Sequence, residues 1–294
     1  GLGVVAGDYD NDGDLDIYLN NYGPNVLYRN NGDGTFTDVT KQAGVDNGLH
    51  TGAGTCFLDM DKDGDLDLYA ANYIDFSYDK HVTTTASGFP IYVGPSFFPA
   101  VPDTLYRNNG DGTFTDVSKS SGIAEHASYG MGMVCGDYDN DGDTDVYVAN
   151  DGDGNFLFKN DGTGKFEDIG LIAGVAYDIH GDEQGSMGAD FGDYDNDGLL
   201  DLYVTSYQTQ LATLYRNLGD DLFEDVTRLT GAGEGTVPNV TWGCGFVDFD
   251  NDGDRDIFIA CGHLLDNIDL FDDSSTYFET NILQMNTGDG KFIN

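Results

Sequence analysis

Gly7-Asp8-Tyr9-Asp10-Asn11-Asp12-Gly13-Asp14-Leu15-Asp16-Ile17-Tyr18-Leu19-Asn20 sets aspartates at alternate positions around one glycine, then runs into an alternating apolar segment. Near-copies begin at Asp59, Asp137, Asp193 and Asp248. Carboxylates this dense repel one another unless a cation sits among them. Oxygen-only ligands at loop positions 1, 3, 5 and 9, with glycine at 6 for the sharp turn, suit a hard ion with many ligands, namely calcium. The side-chain ligands predicted this way are Asp8, Asp10, Asp12 and Asp16; Asp59, Asp61, Asp63 and Asp67; Asp137, Asp139, Asp141 and Asp145; Asp193, Asp195, Asp197 and Asp201; and Asp248, Asp250, Asp252 and Asp256. Position 7 is Asp14, Asp65, Asp143, Leu199 or Asp254, and the leucine is compatible only with a backbone carbonyl ligand there.

An EF-hand has the same early spacing but needs a bidentate glutamate at position 12, where this chain has Leu19, Ala70, Val148, Val204 and Ile259. The residues leaving each loop are alternating, aromatic and β-branched, so the loops join two strands and not two helices. Each repeat reads as four short strands, A to D. In the first, Gly1 to Gly7 is strand A, Asp16 to Asn20 strand B, Asn25 to Asn30 strand C and Thr35 to Thr40 strand D. The turn Asn31-Gly32-Asp33-Gly34 joins the last two. The loops start 51, 78, 56 and 55 residues apart. Four strands at a period of about 40–50 residues is the signature of an all-β β-propeller with calcium-binding A–B loops. The expected organisation is a single domain over 1–294, with blades near 1–50, 51–128, 129–184, 185–240 and 241–294. Insertions fall at 73–103 and 262–277. Five blades make either a complete ring or part of a larger one, for example of seven.

The 53 acidic residues against 12 basic ones give a formal charge of −41, which argues against binding nucleic acid by charge. Five calcium ions would offset ten of those charges. No run approaches the ~20 apolar residues of a membrane span. The chain opens at Gly1 without a methionine or signal peptide, which reads as a mature form or an excised fragment. Exposed loops of this type suit extracellular calcium levels, with affinities on the order of 10⁻⁴–10⁻³ M, so the expected location is extracellular, cell-surface or periplasmic. Four cysteines are too few for a disulfide framework. Cys244 and Cys261 flank one loop and could face each other across its hairpin; two buried free thiols are the alternative.

In an up-and-down blade the A–B and C–D connections share one face, and the B–C and D–A connections the other. The aspartate loops and Asn-Gly-Asp-Gly turns therefore share a face. Both insertions and all five histidines (His50, His81, His126, His180 and His263) fall on the opposite side. Scattered loop histidines are usually plain surface residues; a shared site would take Asp182 and Glu183 beside His180 as acidic partners. Arg29, Arg107, Lys159 and Arg216 occupy equivalent strand-C positions and are expected to pair with aspartates between blades. Asp151-Gly152-Asp153-Gly154 reads as an Asp-Gly turn rather than a sixth ion site.

Gly-Asp-Tyr-Asp-Asn-Asp-Gly-Asp followed by Leu-Tyr-Arg-Asn-Asn-Gly-Asp-Gly-Thr-Phe-Thr-Asp-Val-Thr resembles the FG-GAP/VCBS repeat. The endings Ala43-Gly44-Val45, Ser121-Gly122-Ile123, Ala173-Gly174-Val175 and Thr230-Gly231-Ala232 are similar, more narrowly, to the ASPIC/UnbV and cartilage acidic protein group. The resemblance implies a calcium-loaded propeller related to the integrin α-subunit head and used for extracellular binding or adhesion. No nucleophile elbow, zinc triad or phosphate loop is present, so a non-enzymatic binding or structural module is expected. Its partner would be a protein or glycan. The alternative is a carbohydrate-binding or carbohydrate-active propeller, a lectin or a lyase-like enzyme, with Tyr92, Phe97 and Phe98 stacking on sugars. An incomplete ring would expose edge strands and favour a homo-oligomer or filament.

Overall fold

Each alternating segment forms a strand, and each group of four makes an antiparallel meander in a computed structural model that describes residues 2–294. The first sheet runs Gly3–Gly7, Asp16–Asn20, Val26–Asn30, Phe36–Asp38. The second runs Gly52–Leu58, Asp67–Asn72, Thr104–Asn108, Phe114–Asp116, and the third Gly130–Gly136, Asp145–Asp153, Phe156–Asn160, Phe166–Asp168. Ala189–Gly192, Asp201–Val204, Thr213–Asn217 and Phe223–Asp225 make the fourth. The fifth is Thr241–Val247, Asp256–Cys261, Ile282–Asn286 and Phe292–Ile293.

The first strands of all five sheets line one axial cavity of about 230 Å³, which makes the arrangement propeller-like. Apolar side chains from each pair of neighbouring sheets interleave into four clusters; Tyr18 and Leu27 of the first, for instance, pack against Leu68, Tyr106 and Phe114 of the second. Close approach at the axis depends on glycine. A Cβ on Gly3, Gly54, Gly132 or Gly188 would fall against the carbonyl oxygen of Ala53, Met131, Met187 or Trp242 in the next sheet.

The fourth strand of each unit is shorter than the alternation suggests. In the first unit Thr40–Ala43 is a helical turn closed by Gly44 at φ 81°. Asp38 Oδ1 accepts from the backbone N–H and hydroxyl of Thr40, and Thr40 Oγ1 accepts the N–H of Leu27. These side-chain bonds outcompete the strand ladder locally. They also explain the Ala-Gly-Val endings: Val45 is buried and its carbonyl accepts the Tyr18 hydroxyl at 3.0 Å, a bond repeated by Tyr147 to Val175 and Tyr203 to Ala232.

The stretch expected as an Asp-Gly turn is instead strand. Asp145–Asp153 runs on through it and pairs with Gln184–Gly185. Asp151 accepts from the Tyr73 hydroxyl and Asp153 from Ser128, so the two carboxylates serve different partners. The insertion at 73–103 carries a hairpin, Thr83–Ala86 against Phe89–Tyr92. It reaches the other insertion, where Asn267 donates to the Pro90 carbonyl at 2.8 Å and Phe89 stacks on Phe271 with centroids 6.0 Å apart.

Candidate metal centres

Each aspartate loop is shaped by two left-handed residues: position 4 (Asn11, φ 57°) and position 6 (Gly13, φ 94°). Asparagine tolerates that conformation better than most residues, and glycine adopts it without cost. The loop then closes on its own carboxylates. Asp8 Oδ1 accepts from Asp12 N at 3.1 Å and its Oδ2 from Gly13 N at 2.9 Å, while Asp12 Oδ1 accepts from Asp14 N at 3.0 Å.

Position 9 is the buried anchor. Asp16 Oδ2 accepts the N–H of Tyr9 at 3.2 Å and its Oδ1 that of Asn30 at 2.8 Å, tying the loop to the third strand. Asp67, Asp145, Asp201 and Asp256 accept the same strand bond from Asn108, Asn160, Asn217 and Asn286. Burial pushes Asp16 up to about 6, Asp67 and Asp201 up to about 7, and Asp145 up to about 8, against the opposing pull of backbone N–H groups. At position 3, burial and then neighbouring aspartates raise Asp10, Asp61 and Asp250, and burial raises Asp195 against the pull of Arg216. Carboxylates so placed resist ionising unless a cation balances their charge.

Among the described residues, ligand-capable groupings within 4.8 Å form at five places: Asp8, Asp10 and Asp16; Asp59, Asp61 and Asp67; Asp137, Asp139 and Asp145; Asp193, Asp195 and Asp197; Asp248, Asp250 and Asp256. Positions 1 and 3 thus meet in all five. Position 9 completes four, and position 5 takes that role in the fourth. Asp12, Asp63, Asp141 and Asp252 stand at the rim, and Asp201 stays on its backbone bonds. The chemistry of the set fits a hard divalent cation, and one observation bears on it directly. Buried oxygens Asp10 Oδ1, Asp59 Oδ1, Asp61 Oδ1, Asp137 Oδ1, Asp145 Oδ2 and Asp195 Oδ1 have no hydrogen-bond partner. Orphaned buried oxygens are rare and costly, and here they lie within the carboxylate clusters.

Position 7 is used in a way the sequence did not reveal. Asp65 Oδ1 accepts from Asn11 of the preceding loop at 2.7 Å, and Asp254 from Asn196 at 2.7 Å. Asp143 pairs with Lys62, which replaces asparagine at position 4. Where position 7 is Leu199, Asn140 donates to the Gly198 carbonyl at 3.2 Å instead. Side chains at position 7 therefore latch neighbouring loops together, leaving the carbonyl free as a ligand.

The expected pairing of strand-C cations with aspartates between blades is met by Lys159 and not by Arg216. Arg216 Nε lies 2.9 Å from Asp195 and its Nη2 3.3 Å from Asp197, both in its own unit. Lys159 contacts Asp139 of its own loop and Asp221 of the next unit, each at 2.7 Å. Both face the excess of negative charge in the loop beside them, and Lys159 also bridges to the next unit. Neither do the histidines converge. His263 is buried against Gln208, His126 packs on Phe156 and Phe158, and His81 on Phe76. His180, Asp182 and Glu183 share the rim of a cavity of about 470 Å³ with Arg228. Of the two readings of Cys244 and Cys261, the structure has the free thiols. Cys244 lies opposite Ile259 and Cys261 opposite Thr241, a register shift separates them, and both are free.

Five repeated meanders around an axis, each with an acidic first hairpin, define an FG-GAP-type repeat protein. The model of the FG-GAP-like repeat matches residues 8–70, 100–148, 137–204 and 193–259, and the chain belongs to that family. It is 25% identical to human cartilage acidic protein 1 over 89% of its own length and 47% of that protein, and 26% identical to the mouse protein over 89% and 48%. A stretch covering 25% of the chain is 38% identical to the Xenopus tropicalis protein of that name, of which it covers 11%. The chain spans about half the length of the mammalian relatives. Among solved structures, a lectin of Agrocybe aegerita is similar at 17% identity, covering 99% of this chain and 78% of that one, TM-score 0.42. The exotype rhamnogalacturonan lyase YesX is similar at 16% identity, over 99% and 48%, TM-score 0.46. Likenesses this loose carry no argument about a ligand. No helix among the described residues is long and apolar enough to cross a membrane.

Proposed function

We propose that the chain is a calcium-stabilised binding module of an extracellular, cell-surface or periplasmic protein. The unpartnered oxygens inside the aspartate clusters carry this reading. Asp8, Asp10, Asp12 and Asp16, with the Asp14 carbonyl, would hold the first ion, and the equivalent residues the other four. Bound calcium would supply charge compensation, fixing each hairpin. Titration calorimetry should give about five sites, and chelation should lower Tm, because ions bound only by the native state stabilise it by mass action. Absence of calcium uptake with an unchanged melting curve refutes the proposal.

Partner binding is assigned to the face of the insertions. Tyr92 and Phe97 are exposed there, and Tyr92 lines a groove of about 160 Å³ with His81, Ile91 and Asn267. Exposed rings beside a mainly apolar groove suit a glycan as well as a protein. Screening the calcium-loaded chain on a glycan array separates these readings, with Tyr92→Ala and Phe97→Ala as controls; loss of a glycan signal in both favours sugar. The open ends of the array are assigned to assembly with another blade of the same repeat, from a longer chain or a second copy. Sedimentation of the calcium-loaded chain tests the second source.

A further inference from the structure

The first strands of the second and third sheets run side by side at the axis, and each carries a cysteine on the flank facing the other. Cys56 is buried in the cluster formed with Met60, Leu105 and Val146, and Cys135 packs on the same cluster. Cys135 Sγ lies 3.4 Å from the carbonyl oxygen of Phe57, the residue after Cys56. The two thiols therefore border the same seam between the second and third sheets. Cys244 and Cys261 both border the cluster between the fourth and fifth sheets but contact different carbonyls. Cys244 Sγ sits 3.9 Å from the Tyr203 carbonyl of the preceding sheet, and Cys261 Sγ lies 3.8 Å from the Ile259 carbonyl of its own.

We propose that Cys56 and Cys135 are a redox pair that closes into a disulfide joining the second blade to the third. The oxidant is a small-molecule disulfide. One thiolate attacks it, giving a mixed disulfide and releasing a thiolate. The second cysteine then attacks the sulfur of the first, forming the Cys56–Cys135 bond and releasing the other half of the oxidant. Two protons leave, two electrons pass to the oxidant, and two small thiols are produced. Cys56 is buried whereas Cys135 is only half-buried, so Cys135 is the thiol that a small disulfide reaches first. The bond would span the stretch that contains the 73–103 insertion, so it would restrict the unfolded chain most where the repeat is longest.

The test uses the whole chain in calcium, incubated folded with oxidised glutathione. Thiols counted after denaturation should fall from four to two, and non-reducing peptide maps should join the Cys56 and Cys135 peptides. Tm should rise by several degrees and return with reductant. Cys135→Ser should abolish the cross-link, and Cys244→Ser should leave it intact. Four surviving thiols, a glutathione adduct that never closes, or an equal loss of thiols in Cys135→Ser through Cys244 and Cys261 would each overturn the proposal.

Discussion

Asn11 Nδ2 donates to Asp65 Oδ1 at 2.7 Å, so position 4 of one loop grips position 7 of the next. The contact lies on the exposed rim and separates two roles that share one motif. Asp65→Leu copies the fourth loop and should leave calcium stoichiometry unchanged while costing about 1 kcal/mol or less, the scale of an exposed polar contact. Asp61→Asn removes a carboxylate from the cluster and should weaken the second site selectively. Calorimetry on both variants checks the distinction, and loss of a site in Asp65→Leu would place its side chain among the ligands.

Position 9 invites a stability test. Asp67 Oδ2 accepts Met60 N at 2.9 Å and its Oδ1 Asn108 N at 2.7 Å, all inside the protein. Asp67→Ala leaves two buried N–H groups without an acceptor, at about 1–3 kcal/mol each. It should therefore destabilise even the calcium-free chain by about 2–5 kcal/mol. Asp63→Ala, at the rim of the same loop, should cost far less when calcium is absent. Urea melts in chelator compare them, and equal losses would show that position 9 acts only through the ion.

Much of this was legible in the sequence because it rests on local periodicity. Alternation from Asp16 to Asn20 and the glycine turn after Asn30 specify a hairpin wherever they occur. The aspartate spacing at Asp8, Asp10 and Asp16 brings together carboxylates that do meet. What depends on the neighbouring unit was not legible. The reach of Asn11 to Asp65, the use of the Asn108 side chain by the Tyr9 carbonyl at 2.8 Å, and the placing of Cys56 and Cys135 at one seam are set by how sheets stack around the axis. The one signal available for the asparagines was their recurrence before every C–D turn. Spacing could not decide between a disulfide and free thiols at Cys244 and Cys261 for a related reason: it does not show the register shift between Thr241 and Cys244.

A buried carboxylate away from the loops predicts a pH effect. Asp103 is buried, accepts from the Tyr69 hydroxyl at 3.0 Å and from Asn72 N at 2.7 Å, and burial pushes it up to about 7. An unfolded aspartate titrates near ~3.9. The folded state thus binds the proton more tightly, and this contribution is fully present below pH ~4 and lost as pH rises through about 7. The first unit has Asn25 at the equivalent place, donating to the Tyr18 hydroxyl at 2.8 Å. Asp103→Asn should flatten the stability slope between those limits and raise Tm at pH 8. Melting curves at pH 5 and pH 8 read the result; a variant less stable at pH 8 would mean that the ionised form is the better partner for Tyr69.

The two ends of the array bear unmatched halves of a contact that recurs inside it. Phe114, Phe166, Phe223 and Phe292 open the fourth strands of their sheets and are 8%, 7%, 8% and 4% exposed, whereas Phe36 is 44% exposed. Tyr9, Tyr138 and Tyr194 meet the next sheet's phenylalanine at 5.7, 5.7 and 5.8 Å, and at the fifth loop Phe249 stands 46% exposed. At the axis, a Cβ on Gly188 would collide with the Trp242 carbonyl, while one on Gly243 meets nothing within 4 Å. Gly188→Ala should therefore unfold or strongly destabilise the chain, and Phe114→Ala should cost about 3–5 kcal/mol. If the ends are free in solution, Gly243→Ala should be neutral or slightly stabilising, because alanine loses less backbone entropy on entering a strand. Phe36→Ala should then cost well under the Phe114 value. Should Gly243→Ala prove as damaging as Gly188→Ala, with Phe36→Ala matching Phe114→Ala, another blade of this repeat must cover these faces in solution.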